Sequence, residues 1–364
     1  MKNIYKKGFS QTIVVVSVII VICIAIGLFL FLKSKTNTNV VVENKNKDIL
    51  IGFSITSNQE ERWQKDKVEF LKKANEIGAA VDFQSAENNA TKQISQIENM
   101  IVSGDNIIVV VPYDANSLTD VIKKAHEAGI KVISYDRLIQ NANTDLYISF
   151  DNEKVGEYEA QYVIDSAMSK NTLNKKLKVA YIGGSPKDNN SNLLKKGSFK
   201  VLQPLIDSGK IEIVYDQFTT DWSPDIAYAN MKGYLSKSNA QIDAVIAGND
   251  GTAFGVISAL KEYKLDGKVP VSGQDAELAA LQRIVAGTQT MTVYKSINEL
   301  ASNAVELAVK LVRGISIDGT RITNDGSFNV PSVLLNPIPV TNDNMDSTVI
   351  KDGYHTRNEI YKNI

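Results

Sequence analysis

Six short apolar runs in this chain are each followed within a few residues by side chains that hydrogen-bond well. Asp136 and Arg137 follow Val132–Tyr135, and Asp188, Asn189 and Asn190 follow Val179–Gly183. Trp222 follows Ile213–Tyr215, Asn249 follows Ala244–Ala247, Asp275 follows Val271–Gly273, and Lys295 follows Met291–Tyr294. Carboxylates and guanidinium groups engage neighbouring hydroxyls in pairs through charge-assisted hydrogen bonds. An amide such as that of Asn249 offers an acceptor and two donors at once. An indole face supplies apolar area to the C–H face of a ring. With no nucleophile among them, these residues point to binding of a small polyhydroxylated molecule.

Each has a plainer reading. Asp136 and Arg137 also suit a local ion pair or a helix cap. Asp188, Asn190, Asn249 and Asp275 suit helix starts, where Asp and Asn are preferred. The chain has two tryptophans, Trp63 in Glu61-Arg62-Trp63-Gln64-Lys65 and Trp222 in Thr220-Asp221-Trp222-Ser223. Singly, each is more simply read as core packing; as a pair, each near a helix start after a strand, they favour binding.

Catalytic readings are thin. His126, in a polar helix end, and His355, near the C-terminus, lack ligand spacing to another metal-binding residue and are expected on the solvated surface. Gly183-Gly184-Ser185-Pro186 is a glycine turn after a strand, yet neither a dinucleotide fingerprint nor a phosphate loop. No Gly-x-Ser-x-Gly elbow occurs. Paired carboxylates for glycoside hydrolysis stay open at this level, but interleaving with Arg, Asn and Lys suits ground-state binding better. The expectation is a protein that is not an enzyme and uses no cofactor or metal. Lysine plus arginine is 40 and aspartate plus glutamate is 41, so the net charge of -1 argues against a nucleic-acid partner. The only cysteine, Cys23, lies in an apolar segment, which excludes a disulfide framework.

These residues need strands to present them. From Ile49 onward short apolar runs alternate with helical patterns, as in βα units with a parallel sheet. Ile49–Ser54, Ala80–Phe83, Ile107–Val111 and Val132–Tyr135 read as strands, separated by helices that end at Gly78, Gly104 and Gly129. The run Ile107–Val111 is continuously apolar, as a central strand covered on both faces would be. After Phe150 the alternation resumes through strands at Val179–Gly183, Ile211–Tyr215, Ala244–Ala247 and Val269–Gly273. Two successive α/β lobes imply a cleft, and in open parallel sheets ligands bind outside the carboxyl ends of the strands.

Ahead of the lobes, Ile13 to Leu32 is an uncharged run of 20 residues with lysines on both flanks. About 20 apolar residues in a helix span a bilayer core. No small-residue cleavage site follows, so the expectation is an uncleaved single-pass anchor. Residues 1–12 would then be cytoplasmic and 33–47 a linker, with the rest outside the cell.

From about Asp48 to His355 the chain resembles bacterial D-xylose-binding proteins of the type I periplasmic-binding-protein superfamily. The resemblance rests on Glu61-Arg62-Trp63-Gln64-Lys65-Asp66, Gln96–Ile101, Tyr147–Gly156, Gly183–Asn190, Ser272–Asp275, Ala286–Lys295 and Thr348–Gly353. It implies two doubly wound parallel-sheet lobes joined by a hinge, here preceded by one transmembrane helix, closing on one monosaccharide. By position, Trp63 and Trp222 look like the pair that sandwiches the sugar. Arg62, Asp136, Arg137, Asp188, Asn190, Asn249, Asp275 and Lys295 look like the hydrogen-bonding set. The lobes would comprise 48–152 plus 295–322 and 153–294 plus 323–355, with 356–364 as a tail. The expected ligand is D-xylose. The expected partner is a membrane sensor histidine kinase ectodomain, with an ABC permease as the alternative. An anchor in place of a cleaved signal departs from the transport-type pattern.

Overall fold

In the computed structural model, residues 40–41, 49–173, 175–318 and 320–362 are described. The expected anchor at Ile13–Leu32 lies outside them, as does most of the linker. Among the described residues no helix is long and apolar enough to cross a membrane.

The first lobe begins with β1 (Leu50–Ile55), α1 (Glu61–Glu76), β2 (Ala80–Ser85), α2 (Ala90–Ser103) and β3 (Ile107–Val110). It continues with α3 (Thr119–Glu127), β4 (Lys131–Tyr135) and β5 (Leu146–Phe150). From Leu50 on, parallel pairing gives the order β2-β1-β3-β4-β5, with Leu50 opposite Ala80 and Ile51 opposite Ile107. The order reverses at β1, which opens a crevice at the carboxyl ends of β1 and β3. Both sheet faces are covered. On one, Ile51, Phe53 and Ile55 pack with Phe70 of α1 and with Leu300 and Ala304 of a later helix; on the other, Ile108, Val110 and Val132 meet Ile97, Met100 and Val121. The uninterrupted apolar run of β3 follows from that double burial.

The second lobe carries α4 (Asn152–Lys170), β6 (Leu177–Gly183), α5 (Asn189–Asp207), β7 (Ile211–Phe218) and α6 (Pro224–Lys237). Then come β8 (Ala244–Ala247), α7 (Asp250–Glu262), α8 (Leu278–Val285) and β9 (Thr292–Tyr294). Strand order is β7-β6-β8, again turning at the first strand of the lobe. The run Val269–Gly273, expected as a full strand, contributes one parallel bridge, Val245 to Val271.

Helix α9 (Ile297–Val312) returns to the first lobe and packs on α1 through Leu300, Ala301 and Ala304. The hairpin β10 (Arg321–Asn324) and β11 (Asn329–Leu335) stays there too, since β11 runs parallel to β5 with Ser332 opposite Tyr147. This corrects the expected boundary, which sent the chain into the second lobe at residue 323. Edge strand β5 needed a partner, and β11 supplies it. The crossing falls between β11 and β12 (Ile338–Val340), which pairs antiparallel with β9. The other crossings are at Asp151 and at Lys295–Ser296.

Candidate functional site

All ten residues singled out in the sequence line one cavity between the lobes, joined by Glu60 and Gln274. Its lining holds three cations, Arg62, Arg137 and Lys295, against four acidic side chains, Glu60, Asp136, Asp188 and Asp275. That near-balance favours a neutral ligand over a phosphorylated or carboxylated one.

The first-lobe wall is built from a helix start and a strand end. Arg62 and Trp63 sit in the first turn of α1, so β1 aims them into the crevice. Arg62 is 4% exposed and reaches three acids: Nη2 to Asp136 Oδ2 at 2.9 Å, Nη1 to Asp275 Oδ1 at 3.2 Å, and Nε to Asp66 Oδ2 at 3.5 Å. Burial works against the charged guanidinium, but Asp136, Asp66 and Asp275 outweigh it and push its pKa up. Burial likewise works to raise Asp136, yet Arg62, Lys295 and Arg137 hold its carboxyl below the usual range. Asp66, buried under Arg62 and accepting from the Tyr135 hydroxyl, is pushed up by burial to about 6. Trp63 packs in the first-lobe core, with the Arg62 guanidinium 4.1 Å and that of Arg137 5.2 Å from its ring centroid.

The second-lobe wall is a set of helix caps and loops. Asp188 does two jobs: Oδ1 accepts from Asn190 N at 2.9 Å and so caps α5, while Oδ2 takes Arg137 Nε at 2.8 Å and Trp222 Nε1 at 3.2 Å. The cap reading and the cavity placement thus coexist in one residue. Burial raises its pKa against the pull of Arg137. Asn190 donates from Nδ2 to Asp136 across the cleft, 3.2 Å to the carbonyl and 3.3 Å to Oδ1. Asn249 caps α7, its Oδ1 accepting from Thr252 N at 2.8 Å, so the group it has left to offer is an N–H donor. Lys295, directly after β9, pairs with Asp275 Oδ1 at 2.9 Å.

Left-handed backbone recurs at and beside the cavity. Asp136 (φ 60°), Trp222 (φ 57°) and Asp275 (φ 92°) all occupy the left-handed region, as does Asp221 (φ 53°). Such residues cost on the order of 1–3 kcal/mol each and persist where neighbours over-determine them. Asp136 is held by its own carbonyl, which accepts from Ser149 Oγ at 2.6 Å and Tyr147 Oη at 3.2 Å.

The lobes also meet beyond the cavity. Tyr113 Oη donates to Asp221 Oδ1 at 2.9 Å and accepts from Lys187 Nζ at 3.0 Å. Ala115 N donates to Lys187 O at 3.0 Å, and Gln140 Nε2 to Asn189 Oδ1 at 2.7 Å.

Two lining residues escaped the sequence reading. Glu60 immediately precedes α1 and its pKa is raised by burial, opposed by Arg137. Gln274 donates to Gly248 O at 2.8 Å and keeps Oε1 buried without a hydrogen-bond partner among the described residues. The available signal was its place in Ser272–Asp275, a stretch that carries the family resemblance. One expectation fails outright. His355 is buried, its Nε2 3.2 Å from Ala276 O and 3.3 Å from Glu61 Oε1, because the C-terminal segment folds back between α1 and α8. His126 is partly buried and meets Asp145 Oδ2 at 2.9 Å. Among the described residues no cluster of His, Cys, Asp and Glu is arranged to hold a metal.

A periplasmic binding protein domain family matches residues 51–316. The chain is 48% identical over 314 residues to the D-xylose-binding periplasmic protein of Escherichia coli, covering 86% of this chain and 93% of that one. It is also 48% identical to the D-xylose-binding periplasmic protein of Haemophilus influenzae over 315 residues, with the same coverages of 86% and 93%. A solved ABC transporter solute binding protein from Clostridium phytofermentans, with bound β-D-glucose, superposes with a TM-score of 0.78 at 30% identity, covering 85% of this chain and 99% of that one.

Proposed function

This chain belongs to the periplasmic binding protein family, and from that premise we propose that it is a membrane-tethered, extracytoplasmic D-xylose receptor that closes on the sugar and passes occupancy to a membrane partner. The observation that carries the reading is the cavity, where ten polar and aromatic side chains predicted for a sugar converge with nearly balanced charge. Arg62 with Asp136 and Asp275, and Arg137 with Asp188, are pairs that can each take two adjacent hydroxyls. Trp63 and Trp222 supply apolar faces for the C–H side of the ring. Similarity to D-xylose-binding proteins at 48% identity supports xylose as the sugar. The tether rests on the uncharged run Ile13–Leu32.

Closure changes the relative orientation of the lobes, so a partner touching both has different affinity for the two states. A sensor histidine kinase ectodomain is the partner that an anchored receptor suits, because tethering raises its effective concentration at the membrane. A second reading, the substrate-binding component of an ABC xylose importer, is favoured by the likeness to a solved ABC transporter solute binding protein.

Titration calorimetry on the full chain tests the ligand: one site for D-xylose is expected, with ribose weaker because buried polar groups would lose their partners. A flat xylose titration, or equal binding of ribose, contradicts it. For the partner, xylose should change affinity for the kinase ectodomain by about 5–150-fold. A kinase affinity indifferent to xylose, with binding to the permease instead, selects the importer.

A further inference from the structure

Trp222 rests on glycine backbone. A Cβ placed on Gly184 would lie 2.1 Å from Trp222 Cη2, 2.2 Å from Cζ3 and 2.3 Å from Cζ2, inside the benzo edge of the indole. A Cβ on Gly248 would lie 3.3 Å from Cζ3 and 3.1 Å from Gly184 N. Neither glycine is among those with positive φ, so any residue could adopt their backbone conformation. What position 184 demands is the missing side chain itself.

The ring of Trp222 is tethered on its polar edge. Its Nε1 is tied to Asp188 Oδ2 at 3.2 Å, and Asp188 is tied to Arg137 at 2.8 Å. Its own backbone N–H bonds Thr219 O at 3.1 Å, while Thr219 N bonds Gly184 O at 2.9 Å. Seat and ring are therefore linked through Thr219, and Trp222 lines the cavity. Restoring an ordinary carbon contact of about 3.5 Å from 2.1 Å would displace the ring by about 1.4 Å. Trp222 lines the cavity, so a displaced ring takes space a sugar ring needs.

We propose that Gly184, supported by Gly248, is a specificity-determining positioning residue: by letting the indole of Trp222 lie on bare backbone it sets the depth of the cavity and hence the size of sugar admitted. The inference rests on reading the cavity as a sugar site. The substitution that matches it is Gly184→Ala, and the one that relieves it is Trp222→Phe, because phenylalanine lacks the benzo carbons that meet position 184.

The test is a double-mutant cycle on the full chain, with D-xylose titrated into wild type, Gly184→Ala, Trp222→Phe and the pair, and thermal melts alongside. Gly184→Ala should weaken xylose binding by about 10–200-fold, the range for one misplaced methyl group in a pocket. Adding Trp222→Phe should recover at least part of that loss, so the two effects are strongly non-additive. A sugar-free readout separates this proposal from the functional one. In a Trp63→Phe background, where Trp222 is the remaining tryptophan, Gly184→Ala should shift the emission of Trp222 before any sugar is added. Were xylose not bound by wild type, the receptor reading would fall while the emission shift still reported the seat. Wild-type affinity in Gly184→Ala, unchanged emission, or no recovery in the pair would each overturn the proposal. Should Gly184→Ala fail to fold, the pair with Trp222→Phe must fold; a pair that also fails to fold overturns it.

Discussion

The two walls of the cavity are held in different ways. On the first-lobe wall Trp63 is 1% exposed and belongs to the same apolar cluster as Phe53, Phe70 and Val109, so its ring is positioned by the core. On the second-lobe wall Trp222 has a smaller set of buried apolar neighbours, Val155, Leu194, Met291 and Val293. It sits on left-handed backbone, against glycine, and is steered by Asp188. One wall is an extension of the fold; the other is an assembly of caps, strained turns and cross-cleft bonds. Damage to the first should therefore appear as lost stability, and damage to the second as lost binding.

Arg62 is where the walls are joined, and its loss should do the most. Arg62→Ala leaves Asp66, Asp136 and Asp275 buried without their shared cation, which should cost about 3–5 kcal/mol. Both the melting temperature and xylose affinity should fall, and Arg62→Lys should rescue little because a single ammonium cannot fork to separate acids. Wild-type melting temperature and xylose affinity in the lysine variant would show that the fork geometry is unimportant.

The tryptophans give the direct contrast. Trp63→Ala should cost about 3–5 kcal/mol of folding stability as a core truncation. Trp222→Ala should cost roughly 1–3 kcal/mol of xylose affinity while leaving the denaturation midpoint nearly unchanged. Equal stability losses for the two would erase the distinction between the walls.

A third variant separates core stability from binding within the first lobe. Asp105 is 1% exposed and both its carboxylate oxygens lack a hydrogen-bond partner among the described residues. Burial, with Asp82 adding to it, pushes its pKa up to about 7. The fold thus resists the charged form. The stability associated with the neutral acid is intact below its ordinary pKa and is lost as pH rises through about 7. Asp105→Asn should therefore raise stability by about 2 kcal/mol at pH 8, by little at pH 4, and leave xylose affinity alone. Melts at the two pH values decide it; a gain independent of pH would mean the carboxyl is not the cause.

The smallest effect should come from the lip of the cleft. Tyr113→Phe removes the bond to Asp221, next to Trp222 but outside the cavity lining. It should weaken xylose binding by about 0.5–1.5 kcal/mol through a less favoured closed state. Small-angle scattering should show a more open average shape in the variant at subsaturating sugar; an identical shape and affinity would make this contact incidental.

The second-lobe wall was the more legible in sequence, since Asp188, Asn190, Trp222, Asn249, Asp275 and Lys295 all follow short apolar runs. Arg62 does not follow a strand directly and was located by the family resemblance, while Trp63 was read toward binding only as one of a tryptophan pair. Gln274 was hidden because glutamine between a glycine and an aspartate looks like ordinary loop. The β10–β11 hairpin was missed because Arg321–Asn324 is largely exposed and Asn329–Leu335 carries Pro331, so neither shows a clean apolar alternation. His355 was misplaced for a different reason: nothing local in a polar tail announces that it folds back onto Glu61 and Ala276. Burial made by distant chain segments is invisible to a local pattern.

The central claim is that the cavity between the walls takes one neutral pentose, and a crystal structure of the full chain grown with D-xylose tests it most directly. The account predicts a single pyranose ring lying against the indoles of Trp63 and Trp222, its hydroxyls bonded to Arg62, Asp136, Arg137, Asp188, Asn190, Asn249, Asp275 and Lys295. Xylose bound elsewhere, or lobes closed on each other with those side chains paired as they are here and no sugar between them, would contradict it.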